Sequence, residues 1–102
     1  MKYNKLVRDK IPEIVKEKGQ IPITHIANEG EYWKKLKEKL REEVDEFLVD
    51  SNEEELADIW EVIESICEFK KFDNKKIVDI KNKKKEKRGS FKKRIILDEV
   101  RN

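Results

Sequence analysis

The sequence predicts a mainly α-helical domain built on an antiparallel helical hairpin, and three observations carry that prediction. Apolar residues recur at helical spacing through two successive stretches, 31–50 and 53–72. Between them stand only Ser51 and Asn52, both good helix-capping residues, so the connection is short and the helices must run antiparallel. The 102-residue chain is 36% hydrophobic and 47% charged, which provides only a modest core. The hairpin is therefore expected to complete a helix bundle against a second copy, as a homodimer or higher homo-oligomer.

Ahead of the hairpin, Leu6, Ile11, Ile14 and Val15 follow helical spacing. Pro12 fits in the first turn, where its missing N–H is harmless, and Gly19 closes the segment. The stretch QIPITHIA then places Ile21, Ile23 and His25 on one side of an extended strand. RIILDEV near the C-terminus is the other β-branched run, and the two predict a small two-stranded ribbon from 21–27 and 93–99. His25, the sole histidine, reads as a packing or solvent-facing residue. A third, Lys-rich helix is expected from Lys75 to Arg88, stopped by Gly89. No repeat or long linker interrupts the chain, so a single domain over 1–102 is expected. Cys67 is the only cysteine, which excludes an internal disulfide and a cysteine-cluster zinc site, and it falls in an apolar stripe as a core residue. No apolar run approaches the roughly 20 residues of a membrane span. The opening MKYNKLVRDK lacks the apolar core of a signal peptide, so a cytoplasmic protein with no membrane partner is expected.

The net charge of +2 hides a segregation. Glu29 to Glu68 hold fifteen acids and five bases, a balance of −10, and the two ends together carry +12. An acidic centre with basic flanks is the charge layout for a metal ion plus a phosphorylated ligand. Sorting the acids by helical face, at roughly 100° per residue, divides them. Trp33, Leu36, Leu40, Val44 and Phe47 define the buried stripe of the first long helix, with Glu43 at its border and Glu46 and Asp50 on the same flank; Glu38, Glu42 and Asp45 point away. In the second, Leu56, Trp60, Ile63 and Cys67 form one stripe, and Ile59, Val62, Ile66 and Phe69 form a second apolar sector overlain by Glu55 and Asp58. Glu61, Glu64 and Glu68 gather on the solvated side.

Glu43 with Glu46, and Glu55 with Asp58, are each spaced i, i+3, which puts two carboxylates about 5–6 Å apart on one face. The hairpin then closes a square of four. Four carboxylates beside an apolar sector repel one another unless cations neutralise them. With only oxygen ligands on offer, the cation should be hard: Mg²⁺ first, Mn²⁺ as substitute. The structural alternatives are a capping box from Asn52 to Glu55 and an ion pair of Glu43 with Lys39 along the helix.

E-x-x-E followed by E-x-x-D on a helical hairpin, here EVDE at Glu43–Glu46 and ELAD at Glu55–Asp58, resembles the metal-binding signature of the MazG-like all-α NTP pyrophosphohydrolases. The opening YNKLVRDKIPEI and the closing KRGSFKKRIIL resemble the small phosphoribosyl-ATP pyrophosphohydrolase-like branch, so the resemblance spans nearly the whole chain. It implies hydrolysis of a nucleoside triphosphate or related nucleotide to the monophosphate and pyrophosphate with Mg²⁺, commonly in helix-bundle dimers. Glu43, Glu46, Glu55 and Asp58 would hold the ion, which binds phosphate oxygens and activates water, and Glu46 is the candidate general base. Phosphate-binding candidates are Lys5, Arg8 and Lys10 in the N-terminal motif, and Lys84, Lys87 and Arg88 before the Gly89-Ser90 turn. Only eight residues separate Glu46 from Glu55, fewer than in many relatives whose longer connection helps shape the nucleotide pocket. The rival reading is a non-enzymatic nucleic-acid-binding module using KNKKKEKRGSFKKR, with Phe91 as a stacking residue. The acidic hairpin opposes it, because it would repel a polyanion.

Overall fold

The computed structural model describes residues 2–102, which contain four α-helices and, among the described residues, no strand. The chain divides into a first unit that ends at Lys70 and a second from Lys71 to Asn102.

In the first unit, α1 (Ile11–Glu17) holds Pro12 in its first turn, where a proline is best tolerated. Leu6, expected to share this helix, lies ahead of it: the Arg8 carbonyl accepts from the Ile11 N–H at 3.0 Å in a turn that sets the helix start. At the other end Gly19 takes a φ of 81°, the left-handed conformation that glycine adopts without strain. The Gln20 N–H then donates to the Val15 carbonyl at 3.2 Å and the Gly19 N–H to the Lys16 carbonyl at 2.9 Å, a Schellman closure.

The two long helices, α2 (Glu29–Val49) and α3 (Glu53–Lys70), form the hairpin. Asn28 starts α2 two residues before the expected position by accepting the Glu31 N–H at 2.9 Å. Asn52 caps α3 in the same way, accepting from the Glu55 N–H at 2.9 Å. The helices run antiparallel: Tyr32 and Trp33, early in α2, meet Phe69, late in α3, at ring-centroid distances of 5.1 and 6.0 Å. Among the described residues, Leu36 (1% exposed), Val62 and Cys67 (each 8%) are the buried apolar ones.

Two sequence expectations need correction. Leu56, Trp60 and Ile63, read as part of one buried stripe with Cys67, stand 47, 65 and 46% exposed. A single partner helix covers one sector of α3, and the covered one holds Val62 with half-buried Ile59, Ile66 and Phe69. The ribbon of 21–27 and 93–99 is not formed, since both segments lie outside helix and strand. Pro22 has no N–H for a ladder, and a two-stranded ribbon without a surface to pack on is marginal in water. Ile21, Ile23 and Ile26 are left almost fully exposed.

In the second unit, Asp73 caps α4 (Asn74–Arg88) by accepting the Lys75 N–H at 3.0 Å, and Gly89 ends it at a φ of 86°. Every residue of this unit is exposed. It carries thirteen bases and five acids, a balance of +8. Among the described residues no helix is long and apolar enough to cross a membrane.

Candidate functional site

At the closed end of the hairpin, Glu43 from α2 and Glu55 and Asp58 from α3 each bring a carboxylate oxygen within 4.8 Å of the others. Helical pitch explains the local part, because i, i+3 spacing puts Glu55 and Asp58 on one face of α3. The short link 50–52 supplies the rest. It is tightened by the Asp50 N–H, which donates to the Glu46 carbonyl at 2.9 Å, and by the Ser51 hydroxyl, which donates to the Phe47 carbonyl at 2.9 Å.

Glu43 is only 6% exposed, deeper than the border position its helical angle suggests. Its Oε1 lies 3.2 Å from the Lys39 ammonium, itself largely covered. Its Oε2 and the Oε2 of Glu55 are buried with no hydrogen-bond partner. Leaving a buried acceptor unsatisfied costs about 1–3 kcal/mol, and more for a charged group. These two unpartnered oxygens belong to residues of the three-carboxylate cluster, and the all-oxygen donor set of Glu43, Glu55 and Asp58 suits a hard divalent cation, Mg²⁺ or Mn²⁺. Both structural alternatives read from the sequence are present in part: Lys39 does pair with Glu43, and Asn52 does cap α3, yet neither satisfies these two oxygens.

Glu46 is exposed and lies outside that trio. Its carboxyl is held above the ordinary carboxylate range chiefly by the Glu43 charge, with burial and the charges of Glu55 and Glu42 adding to it. It adjoins an open cleft of about 520 Å³ lined by Asp45, Glu46, Val49, Asp50 and Glu55. With four acids in its wall, that cleft repels a polyphosphate until cations neutralise it.

Cations already reach the cluster from the N-terminal segment. Arg8 Nη2 donates to Asp58 Oδ1 at 2.8 Å, and Lys5 Nζ to Glu42 Oε1 at 3.0 Å. Lys35 Nζ donates to the Asn4 carbonyl at 2.6 Å, so this segment is tied to the hairpin through side chains of both long helices. Glu42, read from its helical angle as pointing to solvent, instead bridges Lys5 and Lys39, the latter at 3.4 Å. Burial pushes its carboxyl up, but the hydrogen bonds and charges of Lys5 and Lys39 outweigh that and leave it below the usual value. The hydrogen bond and charge of Glu42 in turn raise the Lys5 ammonium. Of the six basic candidates, Lys5 and Arg8 are thus placed on acids of the hairpin, and Lys10 is exposed at the start of α1. Lys84, Lys87 and Arg88 lie on α4 of the second unit, exposed, the last two in its final turn. The sequence pattern placed Lys39 on Glu43 but not on Glu42, although the i, i+3 spacing of Lys39 and Glu42 on α2 was an available signal.

No family model matches the chain, and no solved structure matches it. An uncharacterized protein of Mycolicibacterium smegmatis is 46% identical over 41 residues, which cover 40% of this chain and 42% of that relative. The match thus spans less than half of the relative's length.

Proposed function

We propose that this protein is a Mg²⁺-dependent nucleotide pyrophosphohydrolase, which cleaves a nucleoside triphosphate or related nucleotide to the monophosphate and pyrophosphate. The observation that supports this reading most is the pair of buried, unpartnered carboxylate oxygens on Glu43 and Glu55 beside Asp58. When bound, the ion supplies charge neutralisation for phosphate oxygens and a lowered pKa for water. Glu43, Glu55 and Asp58 hold it, with Glu46 on the cleft side. The Glu46 carboxylate, on the cleft side of the cluster, takes the proton of the water that attacks the α-phosphorus. Arg8 and Lys5, at the margin of the cluster, neutralise phosphate oxygens.

A homodimer belongs to the same reading. Leu56, Trp60 and Ile63 lie at helical spacing on the uncovered side of α3, and a second copy would take them out of water. One observation favours the rival nucleic-acid reading, the +8 balance of the fully exposed second unit. A panel of nucleotides incubated with Mg²⁺ or with chelator, read out by pyrophosphate release, separates the two. Pyrophosphate from at least one nucleotide in Mg²⁺ alone supports the enzyme. A protein inactive on the whole panel that binds RNA or DNA with steep salt dependence is the rival.

A further inference from the structure

We infer that Arg8 is a metal-released phosphate ligand: without metal it occupies Asp58, and when a divalent ion takes the cluster it transfers to the polyphosphate. This rests on the proposed metal site and adds to it the order in which metal and substrate act. Asp58 is one of the three carboxylates that converge within 4.8 Å, and it is the one whose oxygen is held by a guanidinium, at 2.8 Å. Glu43 has its own cation in Lys39, largely buried and fixed on the same helix. Arg8 differs, because its side chain is 58% exposed and comes from outside the hairpin.

Its backbone is anchored on both sides. Asn4 and Lys5 are tied to Lys35 and Glu42, and the Arg8 carbonyl receives the Ile11 N–H. Only the side chain has to move. A divalent ion on Glu43, Glu55 and Asp58 competes with Arg8 for Asp58 and repels its charge. The freed guanidinium presents a planar fork that matches phosphate geometry, at the rim of the place where the metal has gathered the phosphates. The arrangement also spares the metal-free protein one uncompensated carboxylate.

The test measures binding and needs no turnover. Mn²⁺ affinity is measured alone, and inorganic tripolyphosphate affinity at saturating Mn²⁺, for wild type, Arg8→Gln, Arg41→Gln and Glu55→Gln. Arg41 is an exposed arginine of α2 and controls for loss of one positive charge. Arg8→Gln should bind Mn²⁺ about two- to fivefold more tightly, the range of an exposed ion pair, because a competitor is gone. The same variant should bind tripolyphosphate about tenfold more weakly, the effect of losing a charge-assisted hydrogen bond. Arg41→Gln should change neither. A purely structural contact would not move the two affinities in opposite directions. If Glu55→Gln binds Mn²⁺ as wild type does, the metal site itself is wrong. If Glu55→Gln loses Mn²⁺ but Arg8→Gln leaves Mn²⁺ affinity unchanged or weaker, the site stands and the release of Arg8 is overturned. Tighter Mn²⁺ with unchanged tripolyphosphate would make Arg8 a counter-ion only, which also overturns the inference.

Discussion

Glu43→Gln should stabilise the metal-free protein and remove its response to Mg²⁺. Gln can keep its carbonyl oxygen where Oε1 now meets Lys39 at 3.2 Å, so that contact survives as a hydrogen bond. The amide nitrogen then replaces the orphaned Oε2, and a small shift lets it donate to Glu55 or Asp58, whose oxygens lie within 4.8 Å. An unsatisfied buried acceptor costs about 1–3 kcal/mol, and the ion pair with Lys39 is weakened but not lost. The net gain should be about 1 kcal/mol, or roughly 4–8 °C in Tm for a domain of this size. Wild type at a hundredfold excess of Mg²⁺ over its Kd should gain about 2.7 kcal/mol, roughly 10–20 °C. Thermal unfolding followed by helical circular dichroism, in chelator and in Mg²⁺, measures both. A Glu43→Gln variant that melts lower than wild type in chelator and still rises in Mg²⁺ would make Glu43 an ordinary buried ion-pair partner and not a metal ligand.

Leu36→Ala, at the most buried side chain, should cost about 2–5 kcal/mol in urea unfolding, whereas Ile23→Ala, almost fully exposed, should cost little. Glu42 is lowered below 4.5 in the fold, so its stabilisation is complete above that value and is lost as pH falls through the folded value. Glu42→Gln should therefore flatten the acid limb of the stability profile below pH 4.5, seen by urea titration at stepped pH. Lys5 is raised, so its share persists to pH 10.5 and is lost as pH rises through its folded value; Lys5→Gln should flatten that alkaline limb. Trp60→Glu puts a charge on the uncovered side of α3 and should shift sedimentation toward monomer while leaving helical content intact; a dimer unchanged by it would place the interface elsewhere.

The hairpin was legible because its signals are local: apolar periodicity, Asn52 as a cap, and a link too short for anything but an antiparallel return. Pitch put Glu55 and Asp58 on one face of α3, and the short return brought Glu43 of α2 to them, while Glu46, expected as the fourth corner, lies outside the trio. What failed depends on partners distant in sequence. β-branched runs at 21–27 and 93–99 signal extended chain but do not name a strand to pair with. Glu42 looked solvated until Lys5, 37 residues away, was placed on it. Composition could not rank the two apolar sectors of α3; α2 covers the one with Val62, and of the stripe with Trp60, Cys67 is buried while Leu56, Trp60 and Ile63 stay outside.

The most direct measurement of the central claim is pyrophosphate release by wild type, Glu55→Gln, Asp58→Asn and Glu61→Gln in Mg²⁺, on whichever nucleotide wild type cleaves fastest. Glu55 and Asp58 converge with Glu43, while Glu61, one turn along α3, is exposed. Each substitution preserves side-chain size, so lost activity with intact helical content reports on the cluster and not on packing. Glu55→Gln and Asp58→Asn should abolish release, and Glu61→Gln should stay near wild type. Equal activity in all three variants would contradict the claim.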